Sequence, residues 1–254
     1  MIISVVQTQF FALALTRILA ILIRIPVLGG TLIPNQVKAG LGVMLAMIMI
    51  PWQLAPAEAE ALGLLPFGFA IAEELIIGTL AGFAAQLTFS AIEMAGEMMG
   101  LSSGFFAAKI INPAFDTQGS PLTNFFYLVA LAYFVILNGH HFFLIAVQRT
   151  FEIIPLNQAL PQFPLEKLLT LTGNMITSGI QMALPIIGAL MLTNLTLGLL
   201  ARVAPQIQVF FLGIPLKVGL GILTLMVTMS SLLSIVEELF ASSPIWMLEL
   251  LGGS

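Results

Sequence analysis

Apolar residues in this chain come in long unbroken stretches, neither alternating with polar ones nor confined to one narrow helical stripe. A bilayer core is about 30 Å thick and takes about 20 apolar helical residues to cross. Six stretches meet that requirement: 4 to about 28, 36–54, 66 to about 92, 122–147, about 175 to 200, and 210 to about 236. Few turn signals interrupt them. Backbone facing lipid must hydrogen-bond within its own segment, so such lengths predict helices rather than barrel strands. The breaks between stretches are distinct. Residues 55–65 carry Pro56, Glu58, Glu60 and Gly63 and read as an exposed turn. Residues 93–120 are amphipathic and then rich in Gly, Asn and Pro, too polar for a simple lipid-facing helix. Residues 149–167 hold Pro155, Asn157, Pro161 and Pro164, and residues 202–217 hold Pro205, Gly213 and Pro215; both read as loops. No repeat and no separate soluble domain is visible. The expectation is one all-α, polytopic membrane domain over residues 1–254.

Composition sharpens this picture. The chain has 254 residues, 59% hydrophobic and 8% charged, where soluble domains carry about 25% charged residues. Its mean hydropathy is +1.09. The apolar surface must face lipid or other apolar protein. There is no cysteine, hence no disulfide, Cys-based metal site or Cys nucleophile. The two histidines, His140 and His141, do not make a His-rich metal site, and no cofactor is expected. A net charge of -4 without a basic patch argues against nucleic acid. The first stretch lacks a basic leading region and runs past signal length, so a cleavable signal is not expected. Arg24 with Lys38, then Lys109, then Arg202 with Lys217 fall in alternate loops, opposite Glu58 and Glu60. The positive-inside rule then puts both termini outside the cytoplasm.

The polar residues inside the apolar stretches carry the chemistry. Arg17 and Arg24 share a helix face, two turns apart. An intramembrane charge faces protein or water; mid-segment Arg17 reads as a contact to a partner subunit, and Arg24, beside Pro26, as snorkelling from a helix end. Glu73 and Glu74 read as acids placed near a helix N-terminus. Glu93 and Glu97 lie one turn apart, with Gly96 and Gly100 forming a small-residue step that lets another helix approach. No nucleophile, metal ligand or histidine accompanies the two acids, so a packed helix is a better reading than catalysis. Phe105, Phe106, Lys109, Asn112, Pro113, Phe115 and Asp116 combine aromatics with a helix-breaking Asn-Pro step. Non-helical backbone at membrane depth survives only in protein or along a cavity, so this segment is either a pore-facing loop or an ordinary surface loop. Asn138, Gly139 and His140 read as a helix kink whose polar groups neighbouring helices satisfy. Asn194 reads as amide glue between helices. Arg202, Pro205, Gln206, Gly213, Pro215 and Lys217 specify the elbow of a helical hairpin.

The Arg202-x-x-Pro205-Gln206 run, followed by Val209-Phe210, Gly213, Pro215 and Lys217, resembles the signature of the FliR family of flagellar export proteins, much of which the injectisome counterpart SctT shares. Ile33-Pro34 through Gly40-Leu41, Ala95-Gly96-Glu97 through Asn112-Pro113, and Asn138-Gly139-His140 agree in order with three further family blocks. Gln208 stands where an Asn is usual, and Asn112 where an Asp is usual. The resemblance implies a FliP-like part followed by a FliQ-like hairpin, built of tilted and broken helices. It implies one such subunit joined to about five FliP-type and about four FliQ-type subunits in a ring at the bacterial inner membrane, within the flagellar basal body. That ring would pass unfolded export substrates, coupled to an FlhB-type switch protein. In the family the loop after the central block plugs the closed pore, which here corresponds to about residues 105–123. Arg17, Asn194 and the Glu93–Glu97 pair would then be satisfied by other subunits.

Two other functions fit parts of the sequence. A small-solute secondary transporter explains broken helices and intramembrane charge, but predicts an inverted repeat that is not visible. An intramembrane enzyme needs a nucleophile–base pair or an acid dyad, and acids on adjacent turns do not face one scissile bond.

Overall fold

The computed structural model describes residues 4–30, 33–49, 61–105, 120–158 and 165–252. These residues form eight helices and no strand. Helix α1, Val5–Arg24, starts on a capping box: Ser4 Oγ accepts from the Gln7 amide at 3.2 Å, and Gln7 Oε1 accepts from the Ser4 amide at 3.0 Å. It stops at Ile25, whose extended backbone is the one a residue before proline prefers. The short α2, Pro26–Gly29, and α3, Asn35–Met49, follow. Lys38 reaches back from α3 to the Gly29 carbonyl at 2.8 Å, a cation at a negative helix end.

Three helices are far longer than a bilayer needs. α4, Leu64–Ser103, has 40 residues; α7, Leu165–Val203, has 39; α8, Val209–Leu250, has 42. At 1.5 Å per residue each is about 60 Å long, twice the hydrocarbon thickness. Between them lie α5, Pro121–Ile136, and α6, Gly139–Ile153. The six expected stretches therefore resolve differently. Helices α1, α4, α7 and α8 are long and apolar enough to cross a membrane, and α5 with α6 makes a fifth only as one bent span. At 15 residues, α3 is shorter than a crossing requires. The amphipathic stretch from residue 93, read as a packed helix at Glu93–Gly100, is the last part of α4, which runs on past the apolar stretch to Ser103, and α7 begins ten residues ahead of the apolar stretch that marked it.

The chain divides into two compact units. The first comprises Met1–Leu87, Asn138–Leu171 and Ala241–Ser254. Within it α1 lies against α4 along Gly78 and Gly82. A methyl group at Gly78 would sit 2.6 Å from the Arg17 carbonyl oxygen and 2.7 Å from Ala20 Cβ; one at Gly82 would sit 2.6 Å from Arg24 Cβ. Ala81 and Ala85 are fully buried on the same face. Small residues are what let two membrane helices meet backbone to backbone. The Gln9 amide holds the start of α4 in place, donating to the Leu62 carbonyl at 2.8 Å and accepting from its N–H at 2.9 Å. A half-exposed Lys167–Glu249 pair, 2.8 Å, joins the start of α7 to the end of α8 and contributes little in water.

The second unit comprises Thr88–Leu137 and Thr172–Phe240. Its core is a ring cluster. Phe89 of α4 meets Phe240 of α8 at 5.2 Å and Phe134 of α5 at 5.8 Å, and Phe134 meets Phe240 at 5.5 Å. These centroid distances are in the range where tilted and edge-on pairs are favourable. Helix α7 joins through Gly179, where a methyl group would stand 2.9 Å from the Ala91 carbonyl oxygen.

Close glycine packing gives a direct test. Gly78→Val forces apart two backbones and should lower stability by about 1–3 kcal/mol. Gly68→Val, where an added methyl meets nothing within 4 Å, should change it by less than about 0.5 kcal/mol. Thermal unfolding of the two purified variants measures both.

Candidate functional site

Two polar constructions stand out inside the apolar helices, and each holds a helix end. The first is built on Arg17, which is 0% exposed, and Glu74, which is 2% exposed. Arg17 Nε donates to Glu74 Oε2 at 2.5 Å. Nη1 donates to the carbonyls of Thr150, 2.9 Å, and Ile154, 2.7 Å. Both carbonyls lie at the C-terminal end of α6, Thr150 in its last turn, where it also accepts from the Ile154 N–H at 3.0 Å, and Ile154 as its C-cap, and there the helix dipole is negative. The Phe151 ring lies under the guanidinium, 4.5 Å from Cζ to the centroid. One cation thus ties α1 to α4 and to the end of α6.

This corrects two expectations. Arg17 does not reach out to a partner subunit; its charge is neutralised inside the chain by an acid 57 residues later. Glu74 does not sit at a helix start, because α4 begins at Leu64 and has no acid in its first turn. It lies well inside the helix and is there as the counter-ion. Sequence proximity could not link the two. The available signal was that an intramembrane arginine needs an intramembrane acid.

The second construction is built on Gly96 and Glu97. Glu97 Oε2 accepts from the Thr123 hydroxyl at 2.7 Å and from the Ser120 N–H at 3.2 Å. Ser120 caps α5: its Oγ accepts from the Thr123 N–H at 3.1 Å, with Pro121 opening the helix. A carboxylate at a positive helix end is favourable. Gly96 makes the approach feasible, since a methyl there would stand 2.8 Å from Thr123 Cα. Glu97 is therefore satisfied within the chain, contrary to the expectation that other subunits would do so. Glu93, one turn earlier, is exposed. Gly100 is buried. The pair pins the start of α5 at Ser120 to α4, which ends just ahead of Gly104, whose φ of +80° closes the helix in the left-handed region.

Phe105 follows that turn and is half-buried. Phe106, Lys109, Asn112, Pro113, Phe115 and Asp116 lie outside the described residues. Asn138 has φ 55° and ψ 32°, the left-handed conformation that ends α5 and redirects the chain into α6. Gly139 is buried, but His140 and His141 are exposed and pack ring on ring at 4.5 Å, so neighbouring helices of this chain do not enclose them. Asn194 is exposed midway along α7 with no hydrogen-bond partner among the described residues. Arg202 ends α7, and Pro205 and Gln206 form the exposed turn before α8. Gly213 is buried in α8, where a methyl would come within 3.1 Å of Leu197 Cδ1; Pro215 and Lys217 lie beyond it in the same helix. Among the described residues, no group of three or more His, Cys, Asp or Glu could hold a metal ion. The Gly78–Gly82 step was visible in the sequence as the same small-residue spacing read at Gly96 and Gly100.

Removing one member of the buried pair leaves the other charge uncompensated. Arg17→Ala and Glu74→Ala should each lower stability by about 3–5 kcal/mol. Arg17→Ala with Glu74→Ala should lose less than the sum of the two. A double-mutant cycle on unfolding free energies measures the coupling.

The family model described as "Bacterial export proteins, family 1" matches residues 8–243 of the chain. The flagellar biosynthetic protein FliR of Bacillus subtilis is 30% identical over 238 residues, 91% of this chain and 90% of that protein. FliR of Escherichia coli K12 is 31% identical over 228 residues, covering 89% and 87%. FliR of Pectobacterium carotovorum is 30% identical over 235 residues, covering 92% and 89%. With matches of this extent along nearly its whole length, the chain belongs to the FliR family of bacterial export proteins.

Proposed function

We propose that this protein is the single-copy subunit of a flagellar type III export gate. Together with FliP-type and FliQ-type subunits, about five and four per gate, it forms the pore that passes unfolded flagellar proteins across the inner membrane. It works there as a structural and gating subunit rather than as an enzyme, next to an FlhB-type switch protein in the basal body. The flagellar use is favoured over the injectisome because the relatives are flagellar proteins by name.

One observation carries the reading. Helix α7 presents a continuous exposed face through Gly173, Leu184, Gly188, Met191, Leu195 and Gly198. These positions fall at helical spacing on one side. Methyl groups on Gly173, Gly188 and Gly198 would meet nothing within 4 Å. A glycine inside a helix costs about 1 kcal/mol against alanine. Gly78, Gly82 and Gly96 offset that by admitting a helix of this chain, whereas these three have no such neighbour among the described residues. Exposed Asn194, an amide in apolar surroundings, lies beside the same face. Glycines and an amide on a membrane helix suit another protein helix better than they suit lipid.

The segment at 106–122 is the proposed plug, with Phe105, Phe106 and Phe115 closing the pore by packing. The return of that segment to α5 is anchored by Glu97. Deleting residues 106–122 should make cells leak small ions; unchanged permeability would count against the plug. Gly188→Leu with Gly198→Leu should abolish co-purification of FliP-type and FliQ-type subunits with this chain. The isolated chain's unfolding temperature should stay within a few degrees of the parent. Undiminished co-purification would contradict the assignment of this face.

A further inference from the structure

Arg17 retains one pair of N–H groups that none of the described residues satisfies. Nε and Nη1 are bonded as described, but Nη2 is fully buried with no acceptor among the described residues. Nη2 lies on the same edge of the guanidinium as the Nε–H. That edge is the fork a carboxylate usually takes with both oxygens. Here Glu74 uses Oε2 on Nε alone, and its Oε1 takes part in no hydrogen bond among the described residues. The fork is half used: a cationic donor and an anionic acceptor of the same ion pair are each left over.

Leaving a charged donor without an acceptor in an apolar interior is among the more expensive faults a fold can carry. No neighbouring subunit can supply the acceptor, because Arg17 has no exposed surface. What supplies it must fit inside the chain, accept from nitrogen and donate to a carboxylate. We propose that one water molecule is held between Nη2 of Arg17 and Oε1 of Glu74. Water meets both demands at once, accepting from Nη2 and donating to Oε1. Two or more polar partners are what a buried water requires. The pair then consists of one direct bond and one bond through water. In this arrangement Nη1 keeps both carbonyls of α6 without any rotation of the Glu74 carboxylate.

A density map of the full chain in a lipid nanodisc, at a resolution that shows ordered water, tests this. The expected result is a peak within about 2.7–3.2 Å of both Nη2 and Oε1. The contrary result is a two-pronged fork, with Glu74 oxygens on both Nε and Nη2 and no peak. Arginine-labelled protein gives a second readout in solution. Magnetisation should pass from water to the Nη2 protons of Arg17, identified by their disappearance in Arg17→Lys. No transfer to those protons would overturn the proposal.

Discussion

The contact on which the first unit depends is the buried ion pair of Arg17 and Glu74. A charge at membrane depth is tolerated only when something nearby neutralises it. Here the acceptors come from two separate places in the chain, an acid in α4 and the carbonyls of Thr150 and Ile154 at the end of α6, gathered by one guanidinium in α1. The position of α6 follows from this. Its end is held where a cation reaches the Ile154 carbonyl and adds a second bond to that of Thr150. Apolar burial is non-directional and would permit many rotations of α1 about its axis. The ion pair, with Gly78 and Gly82 beneath it, selects one.

The second unit repeats the logic with the opposite sign. A carboxylate, Glu97, meets the positive start of α5, and a glycine one residue earlier lets the two backbones close. In both units a charge is matched to a helix end, and small residues set the distance. Each device draws its acid from α4, Glu74 in the first unit and Glu97 in the second. Together they account for Arg17, Glu74 and Glu97. Glu93 and Asn194 stay exposed, and the glycines at 173, 188 and 198 of α7 stay uncovered by the described residues.

Much of this was legible in the residues themselves. The helical, membrane-spanning character follows from the length of the apolar runs. The elbow at Pro205 and the break at Asn138 follow from residues that end helices. The ends of the long helices were not legible. Hydropathy falls near residue 93 and again before residue 175, which put the ends of the apolar stretches short of the ends of the helices. The helices continue because the polar side chains there are satisfied at short range. Ser102 and Ser103 donate to the carbonyls of Met98 and Met99, and Thr170 donates to that of Glu166. Such residues lower hydropathy without ending a helix. Long-range pairing was hidden for a different reason. Arg17 and Glu74 are 57 residues apart, and no local pattern couples them.

The account rests on the claim that the uncovered apolar face belongs to other proteins rather than to lipid. Native mass spectrometry of the complex drawn from bacterial membranes by this chain tests it most directly. One copy of the chain with several FliP-type and FliQ-type subunits is the predicted mass. A solitary chain, or a stable assembly of this chain alone that carries a small solute in vesicles, would contradict it.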